Sequence, residues 1–532
     1  MKLRLAVTLL IVAALASSTI LASAPREDRT PSVIPRVVFW YSDISGVRLV
    51  EAAPTLAVVD PDEITSDWVR RLRASGTRVL AYVNFGMAEN WRSYWNPEWL
   101  RNPPQWLGPE DPKWRGEYLV RFWNPEWLEI VKKSIRDFLD RGFSGVMLDN
   151  IDVCIYWGRC SVLPEVFREI REEMRISLYV NLGEAWEVVY LEGFVKNVDG
   201  VIVEEALTRG EENIIQALNY VAEKGKDVVL IEYAKDRARV EELLGAGESL
   251  GFKTFVGDRK LNRIPDYIPL YHGIQYLDGR ILYSYKQPWE RFKIYLNDSE
   301  LGCGEYASGA VNEGVIAVAY ETEDKHVKIL LDDKIIYESK GKCREPSITP
   351  IEDGFAAAYI CDEKSGESVY LLRVDVSGKV RGVSRIVSDK YSKRYPVLAS
   401  NGEKLALVFE REGLLIYTDF NETKIMGKTD PYSYTITPFK DGFAVIYAGG
   451  SEGEIVFPNV TITGVPKILW ETNAVERKGF IYYISREGWV IRVCPNGMWT
   501  SVKQIDNINT AGMWISVIDD KLKVFGLGDL PI

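Results

Sequence analysis

The sequence predicts an α/β barrel followed by an all-β domain, on three observations. Eight short apolar runs alternate with amphipathic stretches through the first half of the chain. Acidic residues stand at or just beyond the carboxyl ends of several of those runs. Past Tyr283 the helical periodicity stops, and β-type alternation with Gly/Asp turns replaces it.

The apolar runs lie at 37–40, 56–59, 79–84, 146–149, 178–181, 201–204, 228–232 and 253–256. Helical patterns separate most of them, as at 68–74, 164–174, 214–224 and 237–244. Eight strands in about 250 residues is the size of a (β/α)8 barrel, assigned here to residues 33–284. A doubly wound open sheet is the alternative, but no G-x-G-x-x-G follows the first run. The clearest unit is GFSGVMLDNID at 142–152, a glycine turn and a buried strand ending in Asp149, Asn150 and Asp152. In such a barrel the carboxyl ends of the strands collect the reactive side chains. Asp152 is expected to cap the turn.

The connection after the third strand, 86–124, is long and aromatic, and the hexapeptide WNPEWL occurs at 95–100 and again at 123–128. In the second copy Asn124 can cap a helix with Pro125 in its first position. The tryptophans here either stack on flat apolar faces of a ligand or form a local core.

From 285 to 532 similar units recur roughly every forty residues, among them GVIAVAY, DGFAAAYI, KLALVFE and DGFAVIYA. That spacing predicts a β-propeller of five or six blades, with a β-sandwich as the alternative. No polar constellation in this half calls for catalysis, and its partner is not legible.

Residues 1–24 carry Lys2 and Arg4 before an Ala-rich apolar core, the pattern of a signal peptide or an N-terminal membrane anchor. The expected location is extracellular or at the cell surface. Six cysteines fit an exported chain, and Cys154 and Cys160 are close enough to pin the loop after the fourth strand. A net charge of −11 argues against a nucleic-acid partner. With two histidines in 532 residues, a His-based triad or multi-His metal site has almost nothing to draw on. Neither a metal nor another cofactor is expected, and catalysis falls to carboxylates. The G-x-S-x-G at 247–251 is set aside, because a helix precedes it and a strand follows, the reverse of a nucleophile elbow.

Strand-end acids include Asp60, Asp149, Glu204 with Glu205, and Glu232, with Glu89 in the loop after strand three. Two carboxylates suffice for glycoside hydrolysis, one protonating the leaving oxygen and one attacking or activating water. Strand alternation lets only one of Glu204 and Glu205 face the barrel axis, and Glu204 still lies within the apolar run.

Taken together, AYVNFGMAENWRSYW, GFSGVMLDNID, VDGVIVEE, VLIEYA and GFKTFVGDRKLNRI resemble glycoside hydrolase family 114, whose best-known activity is endo-α-1,4-polygalactosaminidase on a TIM barrel. The resemblance spans about residues 33–264 and implies Asp149 and Glu204 as the catalytic pair. It also implies substrate contacts from Tyr41, Asp60, Tyr82 and Tyr233. Glu89, Asn150, Glu205 and Glu232 complete the expected substrate-binding set from their positions near strand ends. One departure stands out: the family often reads G-E-A-E after strand three, and this chain has Gly86-Met87-Ala88-Glu89. The expectation is an exported, retaining glycosidase acting on an amino-sugar polysaccharide, with Asp149 as nucleophile or stabilising carboxylate and Glu204 as acid/base, or the two exchanged. The rival is a cell-surface protein that binds glycan without cleaving it.

Overall fold

The computed structural model describes residues 36–505 and 513–526. The expected N-terminal signal or anchor falls outside them. No helix among the described residues is long and apolar enough to cross a membrane.

Eight parallel strands form one sheet in strict chain order: β1 (Val37–Trp40), β2 (Leu56–Val59), β3 (Arg78–Asn84), β4 (Gly145–Asp149), β5 (Ser177–Asn181), β6 (Gly200–Glu204), β7 (Asp227–Tyr233) and β8 (Lys253–Gly257). Sequential order excludes the doubly wound alternative, in which the order reverses. The sheet curls until β1 lies against β8, and the Tyr41 N–H donates to the Leu261 carbonyl at 2.7 Å across the seam. Alternate side chains fill the interior: Phe39, Val58, Leu80, Met147, Ile202, Val229 and Phe255 are buried there, with Tyr41, Tyr82 and Tyr233 packed against them. The three tyrosines therefore bring a polar edge to the top of an apolar plug.

The helices α1 (Gly46–Ala52), α2 (Ser66–Ala74), α3 (Pro125–Asp140), α4 (Leu163–Met174), α5 (Glu212–Glu223) and α6 (Arg237–Ser249) cover the outside. As expected, Asn124 caps α3 by accepting from Glu126 N–H, with Pro125 in the first turn. The helix buries Trp127, Leu128, Val131 and Ile135, its 3.6-residue stripe. Between β5 and β6 only short 3-10 turns occur (Trp186–Tyr190, Val195–Asn197). The G-x-S-x-G ends α6, with the Cβ position of Gly247 pressed on Thr254, so no nucleophile elbow exists.

The second half is all-β. Six four-stranded antiparallel sheets follow one another at 270–303, 307–338, 343–389, 393–428, 434–465 and 474–504, and Trp514–Ile518 pairs with Lys521–Phe525 in a seventh. The first strand of each sheet packs on the first strand of the next, and Trp514–Ile518 lies against both the sixth sheet's first strand and Leu270–Leu277. Two expectations need correction. The all-β half begins at Leu270, not after 284, because Arg280–Lys286 pairs with both Leu270–Leu277 and Phe292–Leu296. The sheets also number seven among the described residues, not five or six. The repeats read from the sequence were mostly second strands, and the second strand of the first sheet was left with the barrel although its Asp278-Gly279 turn matches the others.

The halves meet through buried charge. Arg71 of α2 pairs with Glu471 at 2.9 Å, and both are nearly inaccessible. Glu51 of α1 accepts from His272 at 2.8 Å, while Arg48 bridges Glu51 and Glu305. Trp470 and Arg486 both donate to Asp67 at 3.2 Å.

Candidate active site

Asp149, Asn181 and Glu204 each occupy the last position of a strand, on β4, β5 and β6. Their common register brings the three together at one end of the barrel. Asn181 Nδ2 donates to Asp149 Oδ1 at 2.9 Å and to Glu204 Oε1 at 3.1 Å, so one amide group spans the two acids. From the end of β7, Tyr233 donates its phenol proton to Glu204 Oε2 at 2.5 Å. Asp149 also accepts from the Asn150 N–H at 2.9 Å and from Tyr82. Burial and the neighbouring charge of Glu204 push the Asp149 carboxyl up to about 6, against the pull of those donors. Burial and nearby carboxylates, first among them Asp149, hold the Tyr41 and Tyr82 phenols well above their usual range, so both remain donors. Their rings lie 5.0 Å apart.

The end of β3 locks onto the end of β4. Phe85 and Gly86 N–H both donate to the Asp149 carbonyl, at 3.1 and 3.2 Å. A Cβ on Gly86 would stand 1.8 Å from the Asn150 carbonyl oxygen, so only glycine permits this approach. Asn150, in the left-handed region at φ 58°, turns its amide to Asn84 Oδ1 at 2.9 Å. Asn84 Nδ2 in turn donates to Glu117 at 3.2 Å and more weakly to Glu89 at 3.4 Å.

The other sequence-derived site residues divide. Asp60 stands on the rim, held through both oxygens by Arg92 at 2.8 Å. Glu89 is buried and pairs with the same arginine at 2.5 Å, which fixes the loop and leaves Glu89 little access to a ligand. Glu205 follows the last residue of β6 with a left-handed backbone (φ 55°) and pairs with Arg259 at 2.5 Å; that guanidinium lies over the Tyr233 ring. Glu232 is a correction. It is fully buried and accepts from Leu207 N–H, Thr208 N–H and Thr208 Oγ1, so it caps the chain after β6 and cannot touch a substrate. Asp152 likewise accepts from Glu184 N–H at 3.2 Å in a structural turn.

Most aromatics of the 86–124 loop form a local core. Trp106 and Trp127 are buried at 4.9 Å between ring centres, with Tyr94, Trp95, Trp99 and Tyr118 around them. Trp91 and Trp114 stand exposed, at 55% and 63% of their surface. A three-stranded sheet (Met87–Glu89, Leu107–Glu110, Glu117–Val120) organises the loop. Cys154 and Cys160 are disulfide-bonded beyond β4, and Cys343 pairs with Cys361. No group of three or more His, Cys, Asp or Glu is arranged to hold a metal among the described residues.

Sequence reasoning missed Asn84, Arg92, Asn181 and Glu117. The two asparagines had a signal, since each ends a strand just as Asp149 does. Arg92 and Glu117 had none, because their places depend on pairing within a loop.

Residues 21–274 match the glycoside-hydrolase family GH114. An uncharacterized protein of Methanocaldococcus jannaschii, MJ1477, is 31% identical over 267 residues, covering 42% of this chain and 77% of that relative. Among solved structures, the glycoside hydrolase domain of PelA from Pseudomonas aeruginosa is 17% identical over 43% of this chain and 96% of its own, with a TM-score of 0.37. Ega3 of Aspergillus fumigatus, solved with galactosamine, is 18% identical over 45% of this chain and 98% of its own, with a TM-score of 0.36.

Proposed function

The chain belongs to the glycoside-hydrolase family GH114 through its barrel, and from that membership we propose that it cleaves glycosidic bonds in an amino-sugar-containing polysaccharide. The observation that carries the reading is the pair Asp149 and Glu204 on a shared amide donor, with Tyr41, Tyr82 and Tyr233 beside them. One amide nitrogen that reaches an oxygen of each acid, at 2.9 and 3.1 Å, favours the closer carboxyl spacing of retaining pairs, roughly 5–5.5 Å, over the roughly 6.5–9.5 Å of inverting ones. This supports retention through a glycosyl-enzyme.

In that scheme Asp149 attacks the anomeric carbon while Glu204 protonates the departing oxygen; Glu204 then takes the proton from the water that releases the sugar. Tyr82 and Asn181 orient Asp149, and Tyr233 orients Glu204. The N-terminal segment supports export to the cell surface. The seven sheets whose first strands follow one another in a ring support a seven-bladed propeller.

The test is incubation of wild type and Asp149→Asn with partly deacetylated galactosaminogalactan, read by mass spectrometry. Oligosaccharides from wild type alone are expected. Binding on a glycan array with no release by either protein would replace the hydrolase with the non-catalytic binder.

A further inference from the structure

A cavity of about 380 Å³ lies at the centre of the seven sheets, lined by the first strand of each or by the residues leading into it. That volume falls in the range of small-molecule sites. Four polar side chains of its wall are spent on holding the sheets together. Gln275 accepts the Gly309 N–H at 2.7 Å, and Ser308 accepts the Ile348 N–H at 3.1 Å. Ser347 accepts the Leu398 N–H at 3.0 Å, and Asn473 the Ile515 N–H at 2.8 Å. Each of these bonds ties one first strand to the next.

Tyr306, Glu345 and Tyr395 are not so spent. They line the end of the cavity that meets the barrel, where His272 donates to Glu51 and Glu471 pairs with Arg71. The Tyr306 ring stands edge-on to His272 at 4.2 Å, and Tyr395 packs against Tyr432 and Tyr434 at 5.7 and 5.8 Å, which fixes both rings. Both tyrosines keep accessible surface, and their hydroxyls have no hydrogen-bond partner among the described residues. Burial, and after it the nearby carboxylates, hold both phenols well above their usual range, so both stay protonated. Glu345 accepts from the Tyr395 N–H but has no ion pair among the described residues, and burial raises its carboxyl to about 7.

Polar groups inside a protein are ordinarily satisfied, so a fixed and unsatisfied set facing a cavity marks a place that a ligand or ordered water completes. Two phenols and a carboxyl can each donate or accept, and the phenols also offer flat ring faces. A polyhydroxylated ring matches both features, because its hydroxyls donate and accept while its C–H face lies on an aromatic ring. Glu345 disfavours an anion in the same place. We propose that this cavity is a second binding site, separate from the acid pair of the barrel, that takes a small sugar of one or two rings on Tyr306, Glu345 and Tyr395. It stands whether or not the barrel cleaves glycosides.

The test titrates galactose, galactosamine and lactose by calorimetry into the full chain as wild type, as Glu204→Gln and as the double variant Tyr306→Phe, Tyr395→Phe. At least one of these sugars is expected to bind wild type and Glu204→Gln alike. The double variant should bind it about tenfold more weakly or worse, the scale of two lost hydrogen bonds. That variant should also melt with wild type, because neither hydroxyl has a protein partner to lose. Polysaccharide cleavage followed in the same samples should be the same in the double variant as in wild type. No binding of any of the three sugars overturns the assignment, as does binding by the double variant equal to wild type. A clear drop in its melting temperature also overturns it, since the hydroxyls would then be holding the fold. Binding lost in Glu204→Gln would put the sugar at the acid pair of the barrel instead.

Discussion

Tyr233 donates its phenol proton to Glu204 across 2.5 Å, from the strand adjoining the one that carries the acid. A hydrogen bond to a charged group contributes about 1.5–3 kcal/mol. Tyr233→Phe should therefore lower kcat/KM by about tenfold to a hundredfold while the protein still folds. Wild-type kinetics in that variant would remove the tyrosine from the mechanism.

The roles of the two acids can be separated chemically. With Asp149→Ala, added azide should yield a glycosyl azide of inverted anomeric configuration, because azide attacks in place of the missing carboxylate. With Glu204→Ala it should yield the retained configuration, azide replacing water at the glycosyl-enzyme. The opposite pair of products would exchange the assignments.

A pH profile gives an independent reading. Burial and Glu204 raise Asp149 to about 6, and a nucleophile must be ionised. Activity as kcat/KM should then rise with pH through about 6. A fall through the same range would mark Asp149 as the proton donor.

At the seam between the halves, burial opposes charge on His272, but the hydrogen bond it donates to Glu51 and the charges of Glu471 and Glu305 prevail, and its pKa rises to about 9. A folded-state pKa above the unfolded value stabilises the protein below the unfolded pKa, about 6.5, and the benefit is lost as pH rises through the folded one. Stability in urea should fall between roughly pH 6.5 and 9, by up to about 3 kcal/mol. His272→Gln should flatten that dependence while leaving the cleft chemistry intact.

Glu232 separates structure from catalysis. Its three donors come from the turn after β6, so Glu232→Ala leaves those groups unpaired inside the protein. The expected result is a loss of about 3 kcal/mol or more in stability, read by thermal melting. Lost activity in a variant that melts like wild type would return Glu232 to the site.

Barrel strands, the capped α3, and Asp149 and Glu204 at strand ends were legible in the sequence, because alternation, capping and strand-end position are local properties of the chain. So was the resemblance to the family, carried by short runs of residues around those same strand ends. The tertiary structure alone decided what those ends do together. It set Asn181 between the acids, sank Glu232 beneath a turn, and placed Glu117 opposite Glu89. It also set seven sheets among the described residues and joined them to the barrel through Arg71, Glu471, Glu51 and His272. Each of these depends on residues far apart in sequence meeting at a few ångströms, and no local periodicity encodes such distances.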